Sequence, residues 1–156
     1  MSRWLPKSLF YKDRRPTRFA KLLNRSWARI YSLGILPSSL VGLETRGRRS
    51  GLVHSTAVVV ADYGDERYLV SMLGESVDWV RNVRAANGEA VLRHGRRERV
   101  RLKEVPVAER APVLRAYYKR AQGARWHFDV TDPSSIEEFE KTAELYPVFR
   151  IVPVDD

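Results

Sequence analysis

Two stretches of the chain hold residue types that can do chemistry together. In Leu43-Glu44-Thr45-Arg46-Gly47-Arg48-Arg49-Ser50-Gly51, two glycines four apart allow a tight turn that presents backbone N–H groups beside three guanidinium side chains. Such a turn is an anion receptor, because oriented amides and Arg forks both donate to phosphate or carboxylate oxygens. The plainer alternative is a Gly-containing hairpin turn with solvated arginines, and spacing alone leaves both open. In the second stretch, Val70-Ser71-Met72-Leu73-Gly74-Glu75-Ser76 leads into Asp78-Trp79-Val80-Arg81-Asn82. A strand ending in Ser and Gly at a helix start offers unpaired N–H donors to a planar, acceptor-rich ring. Trp79 and Asn82 sit three apart and share a helix face. The alternative makes Trp79 a core residue and Asn82 a local cap.

Other chemistries find no support. The chain has no Cys, which removes thiol nucleophiles, zinc ribbons, Cys-ligated clusters and disulfide scaffolds. His54, His94 and His127 are isolated, with no pair at helical spacing and no acidic cluster, so a metal centre is not expected. A Ser with His127 and Asp129 is the nearest approach to a hydrolytic set, but no Gly-x-Ser-x-Gly elbow frames any Ser. No Gly-Lys-Ser or Gly-Lys-Thr closes a phosphate loop, and no Gly-x-Gly-x-x-Gly follows a strand.

The elements that must position the two stretches follow from periodicity. Leu40–Thr45 reads as a first strand, β-branched Ser55–Ala61 as a second, and Arg67–Met72 as a third after the Tyr63-Gly64-Asp65 turn. Ser76 is placed to cap a helix over Val77–Ala86, and Asn87-Gly88 suits its left-handed end. Glu89–Arg93, a His94-Gly95 turn and Arg97–Val105 form a hairpin, with Val100 and Leu102 inward and Arg99, Arg101 and Lys103 outward. Ala108–Arg120 is helical if Pro112 falls in the first turn. Ser135-Ile136-Glu137-Glu138 is a capping box for a helix to about Ala143, and Tyr146-Pro147 precedes a sixth strand over Val148–Val152. Hairpins without regular strand–helix alternation predict an α+β fold, a small and mostly antiparallel barrel with packed helices.

At 156 residues and 44% hydrophobic composition, one domain with a contiguous core is expected. The net charge of +9 is uneven: residues 1–50 hold 12 basic and 2 acidic side chains, net +10, and the rest 16 against 17, net −1. Such a field favours anionic partners. No apolar run approaches the roughly 20 residues of a membrane helix, and the basic start lacks a signal-peptide core, so a cytoplasmic protein is expected. Phe19, Leu22, Leu23, Trp27, Ile30 and Tyr31 recur at helical spacing within a basic segment, residues 1–33, distinct from a barrel domain over 34–156. That segment, net +8 from 9 basic and 1 acidic residue, either covers a face of the barrel or rests, with Trp4, Phe10 and Trp27, on the anionic inner face of the cell membrane. Nucleic acid is not an expected partner, since no recognition signature accompanies the charge.

Taken together, Leu-x-Thr-x-Gly-Arg-Arg-Ser-Gly at 43–51, the Ser-and-Gly segment at 71–74, Trp79 with Asn82, and Pro-Val-Phe at 147–149 resemble the deazaflavin-dependent nitroreductase family. The resemblance covers roughly Leu40–Pro153 and implies a split barrel related to the flavin-binding pyridoxamine-phosphate oxidase-like fold. It also implies that the chain is an oxidoreductase using reduced coenzyme F-420, a deazaflavin, rather than FMN. The implied activity is hydride transfer to a small electron-poor acceptor such as a quinone, nitroaromatic or activated alkene, by a monomer or homodimer. A barrel that only stores a deazaflavin, flavin or haem-like ligand is the alternative.

By the same resemblance, Arg48, Arg49, Ser50 and Gly51 hold the coenzyme's phosphate and glutamyl tail, with Arg46 and His54 beside them. Ser55, Thr56, Ala57 and Val58 line one side of the ring, Ser71, Met72, Leu73 and Gly74 meet its polar edge, and Trp79 and Asn82 close the pocket. Tyr117, Trp126 and His127 are the candidates for acceptor contact or proton donation. The sequence departs from the family pattern at His54 and Ala57, where many members carry Arg and Pro, and in the stretch around Tyr117, Tyr118 and Trp126-His127-Phe128.

Overall fold

The computed structural model of the protein describes residues 11–12, 15–16, 26–30, 32–34, 39–121, 130, 132–133 and 135–155. Six strands, β1 (Leu40–Arg46), β2 (Val53–Tyr63), β3 (Glu66–Val70), β4 (Glu89–His94), β5 (Arg96–Glu104) and β6 (Val148–Pro153), close into a barrel. Their order around it is β1-β2-β3-β6-β5-β4, and every neighbouring pair is antiparallel. Tyr11–Lys12 and Arg15–Pro16 pair separately as a short ribbon.

All six expected strands are present, with adjusted ends. β2 begins two residues before Ser55 and ends two after Ala61. β3 stops at Val70 and does not reach Met72, because Ser71 folds its hydroxyl onto the Gly74 carbonyl at 2.6 Å. The strands are joined by helices that include α1 (Asp78–Ala85), α2 (Ala111–Arg120) and α3 (Ile136–Thr142). One expected cap is corrected and another is met in position only. Val77, not Ser76, occupies the N-cap of α1, and no side chain caps it. Ser135 does occupy the N-cap of α3, but its side chain makes no capping bond to a backbone amide, and its hydroxyl instead donates to the Glu137 carboxylate at 2.8 Å. α2 starts three residues later than Ala108, after a 3₁₀ turn over Val107–Glu109, which puts Pro112 in the first turn where its missing N–H costs nothing. Asn87 (φ 55°) and Gly88 (φ 86°) end α1 as expected. A Cβ on Gly88 would lie 2.6 Å from the Leu102 carbonyl, so only glycine fits there.

Strand alternation divides the core in two. Inside the barrel, Val41, Leu43, Leu69, Leu92, Val100, Leu102, Phe149 and Ile151 pack with Trp79, Val80 and Val83 of α1, which therefore stoppers one mouth. Outside it, Ala61, Val70 and Val148 pack with Val113, Leu114 and Tyr117 of α2 and Phe139 of α3. Each fully buried aliphatic contributes about 1.5–3 kcal/mol relative to exposure. Residues 26–30 form a helical turn on the outside of β1: Ala28 is fully buried, and a Cβ on Gly42 would collide with the Ser32 hydroxyl. The rest of the predicted amphipathic helix, Phe19, Leu22, Leu23 and Tyr31, lies outside the described residues. Among the described residues no helix is long and apolar enough to cross a membrane.

Candidate functional site

The site begins with the six-residue turn, residues 47–52, that joins β1 to β2. Antiparallel pairing runs to Arg46↔Val53, and the Gly47 amide then reaches the Leu52 carbonyl at 2.7 Å while the Gly51 amide returns to Gly47 at 2.9 Å. Gly51 adopts φ 71°, a conformation that favours glycine. A Cβ on Gly47 would fall 2.6 Å from Ser50 Oγ and 2.9 Å from His54 Nε2, so glycine lets the His54 ring tuck beneath the turn. Arg46 donates to the Gly51 carbonyl at 3.2 Å, and the Leu52 amide donates to Ser50 Oγ at 3.2 Å.

One buried side chain fixes this turn to α1. Asn82, 3% exposed, accepts from the Arg48 amide at 3.2 Å and from the Arg48 guanidinium at 2.9 Å. Its own amide nitrogen donates to the buried Thr45 hydroxyl at 3.3 Å. Asp78, one helical turn back, adds an ion pair to Arg48 at 3.5 Å. Arg48 is thereby held in place, while Arg49 and the backbone amides of Arg49 and Ser50 have no partner among the described residues. Two successive unengaged amides beside a free guanidinium form a nest for an anion. Thr45 and Asp78 stand within the two stretches but are not among the site residues expected from sequence. A polar residue at an inward position of β1, two after Leu43, is the signal that identifies Thr45.

The second stretch lies at the other side of the start of α1. Ser71 is buried, its amide bonded to the Pro147 carbonyl at 2.8 Å, and Gly74 (φ 93°) closes the turn. The amides of Met72 and Leu73 take no partner among the described residues, and Leu73 packs on the same core cluster as Val58. Register with β1 puts His54, Thr56 and Val58 on the inner face of β2 and Ser55 and Ala57 on its outer face. Residues 53–59 of β2 pair with β1, while pairing with β3 begins only at Val60. Trp79 is 9% exposed and packs in the barrel core against Phe149, ring centroids 5.5 Å apart. Tyr117 is likewise buried and directs its hydroxyl at Met72 Sδ, 3.6 Å away. Trp126 and His127 lie outside the described residues. No group of three potential metal ligands occurs among the described residues.

The structure thus sets a turn rich in guanidinium groups, locked to α1 through Asn82, on the same molecule as a second turn with unengaged amides at Met72 and Leu73. Residues 18–128 match the family model described as F-420H(2)-dependent quinone reductase. The chain belongs to that family. It is an oxidoreductase of the coenzyme F-420 class. Solved structures agree on the fold. The chain aligns with a protein of unknown function from Agrobacterium tumefaciens at a TM-score of 0.54 and 13% identity, covering 88% of this chain and 55% of that one. It aligns with a candidate 5-nitroimidazole antibiotic resistance protein from Bacteroides thetaiotaomicron at 0.52 and 10%, covering 81% and 80%. It also aligns with a candidate pyridoxamine 5′-phosphate oxidase from Listeria innocua at 0.50 and 14%, covering 75% and 85%. The barrel is therefore of the split-barrel type. The chain thus spans little more than half of the Agrobacterium protein. No curated protein matches the sequence.

The residues of this family member fit the coenzyme's chemistry. Anionic groups need donors, and the 47–52 turn supplies the Arg49 guanidinium with two amides. A Cβ on Gly51 would meet nothing within 4 Å, so the approach to the turn is open.

Proposed function

We propose that the chain passes a hydride from reduced coenzyme F-420 to an electron-poor planar acceptor, a quinone first and nitroaromatics or activated alkenes next. The bound coenzyme supplies the hydride chemistry. The observation that carries this reading is the Asn82 anchor: it immobilises Arg48 and the turn, so that Arg49 and the amides of Arg49 and Ser50 are aimed in advance at the coenzyme's phosphate and tail. Preorganised donors of this kind lose little entropy on binding.

In this reading Arg46, Ser50, Gly51 and His54 shape the turn around the anion, and Asn82 acts on the coenzyme through Arg48 as a positioning residue. The Met72 and Leu73 amides donate to the polar edge of the ring, between Ser71 and Gly74. Thr56, Val58 and Leu73 exclude water on one side, with Ser55 and Ala57 on the outer face of the same strand. Trp79 fixes α1 by packing on Phe149 and does not itself cover the ring. Tyr117 supports Met72 from behind, and in this reading Trp126 or His127 contacts the acceptor, with His127 able to donate a proton.

The experiment is anaerobic oxidation of reduced coenzyme F-420 with menadione, a nitroaromatic, an enone or no acceptor, followed by loss of the reduced species. A saturable rate that depends on acceptor is expected. Saturable binding of the coenzyme without any acceptor-dependent rate would replace this reading with that of a storage barrel.

A further inference from the structure

We infer that the barrel mouth opposite α1 is a second binding site, built for a compact organic anion with an apolar body. The mouth opens onto a cavity of about 760 Å³, within the range of small-molecule sites. Seven-residue β1 runs from it to the 47–52 turn, a separation of about 20 Å. The cavity is thus distinct from the site proposed for the coenzyme.

Register explains its lining. Along β5 the inward positions run Leu102, Val100, Glu98 and Arg96, paired across the hairpin with Ala90, Leu92 and His94 of β4 for the last three. Along β2 and β3 the inward positions end in Asp62 and Arg67, which face each other. The apolar interior therefore gives way to charge at this mouth, over a floor of Val41, Val60 and Leu92. Charges facing a barrel interior are costly unless paired. The half-buried pair meets that need, Arg67 holding Glu98 through two bonds of 2.9 and 2.7 Å, while the more exposed Asp62 meets Arg120 of α2 at 3.2 Å.

Arg96 is left over. It lines the cavity and has no partner among the described residues, and neighbouring Arg97 reaches only Glu44, at 4.0 Å. The hairpin also sets Arg96 opposite His94, and Arg97 opposite Arg93. Arg93 and Arg97 share the Glu44 carboxylate, at 3.3 and 4.0 Å, which offsets their mutual repulsion, whereas Arg96 has no such counter-charge among the described residues. His94 is fixed by its Nδ1 contact with the Leu40 carbonyl at 3.1 Å. An anionic head group at Arg96, with Arg97 at the rim and the ligand's apolar body on Val41, Val60 and Leu92, matches the uncompensated charge and the apolar floor of this mouth.

The test uses the full chain with octanoate, hexyl phosphate and the neutral octan-1-ol, followed by calorimetry and by amide resonances of Val60, Leu92 and Gly95. Both anions should bind saturably, and octan-1-ol about tenfold or more weaker, the scale of a lost charge-assisted contact. Arg96→Gln, at an exposed position that leaves the fold intact by circular dichroism, should weaken both anions by about tenfold, and Arg96→Gln with Arg97→Gln further still. Coenzyme affinity should not change in either variant. Absence of saturable shifts, equal binding of octan-1-ol, or unchanged affinity in the double variant would each overturn the inference. Competition between octanoate and the coenzyme would also overturn it, by placing the anion in the other site. Loss of coenzyme binding with octanoate binding retained would instead count against the proposed function alone.

Discussion

Removing the Asn82 side chain tests the site at its anchor. Asn82→Ala deletes the acceptor for two Arg48 donors and the donor to Thr45. The Arg48 side chain is 23% exposed, so water replaces part of what it loses, whereas Thr45 is 3% exposed and water does not reach it as readily. Unsatisfied buried groups cost about 1–3 kcal/mol each, and the truncated side chain leaves a small void, so a loss of about 2–4 kcal/mol is expected. For a chain of this size that lowers Tm by roughly 5–15 °C. The turn then loses its fixed orientation, and coenzyme Kd should rise about tenfold. Asn82→Asp separates orientation from charge. Its carboxylate keeps both Arg48 bonds and accepts from the Thr45 hydroxyl, so stability should largely return. Its added negative charge beside an anion receptor should still weaken the coenzyme, and more so at low salt. Thermal melts and fluorescence titration of the coenzyme read both effects. A Tm for Asn82→Ala within about 2 °C of the parent, with unchanged Kd, would refute the anchor.

Arg49→Ala should leave stability within about 0.5 kcal/mol, as the side chain has no partner among the described residues, yet weaken the coenzyme about tenfold in the same titration. Arg110 is 4% exposed and donates to the carbonyls of Val105, Ala143 and Tyr146, so Arg110→Ala should cost about 2–4 kcal/mol by urea denaturation, with coenzyme affinity of the folded fraction unchanged. The Glu137 carboxyl is held below its usual range, first by its own backbone amide and then by the Ser135 hydroxyl. Its contribution is present above the unfolded value of roughly 4.3 and is lost as pH falls through the lower folded value. Ser135→Ala should therefore raise the Glu137 titration midpoint by carbon-detected NMR, and an unmoved midpoint would remove Ser135 from that balance.

Much of the barrel was legible because strand alternation is local. Val100 and Leu102 against Arg99, Arg101 and Lys103 gave the inner and outer faces of β5 directly, and Asn87-Gly88 marked the end of α1 by the one backbone conformation those residues tolerate best. Helix starts were read less well. Ser76 has the right side chain for capping, yet the chain path puts Val77 at the N-cap of α1, and Ser135 takes the N-cap of α3 without making the side-chain bond its pattern suggests. The turn at 47–52 was visible as glycine and arginine, while its anchor was not: Arg48 and Asn82 are 34 residues apart, and no local pattern reports a contact at that separation. The same limit hid Phe149 as the partner of Trp79, whose place in the core was one of two readings, and the unpaired Arg96 at the far mouth. Both depend on which strands become neighbours when the barrel closes.

The strand order carries a consequence for how the chain assembles. β6 lies between β3 and β5, so Val148 must find Val70 across 78 residues of chain before the ring is complete. During synthesis β1, β2 and β3 emerge first and form a meander with one raw margin, and β4 and β5 add another. Until β6 leaves the ribosome, both margins are open ladders able to recruit foreign strands. High sequence separation also slows the closing step. Nascent chains stalled before Val148 should therefore depend on chaperones more heavily than the finished barrel, whose seam is sealed by its final strand.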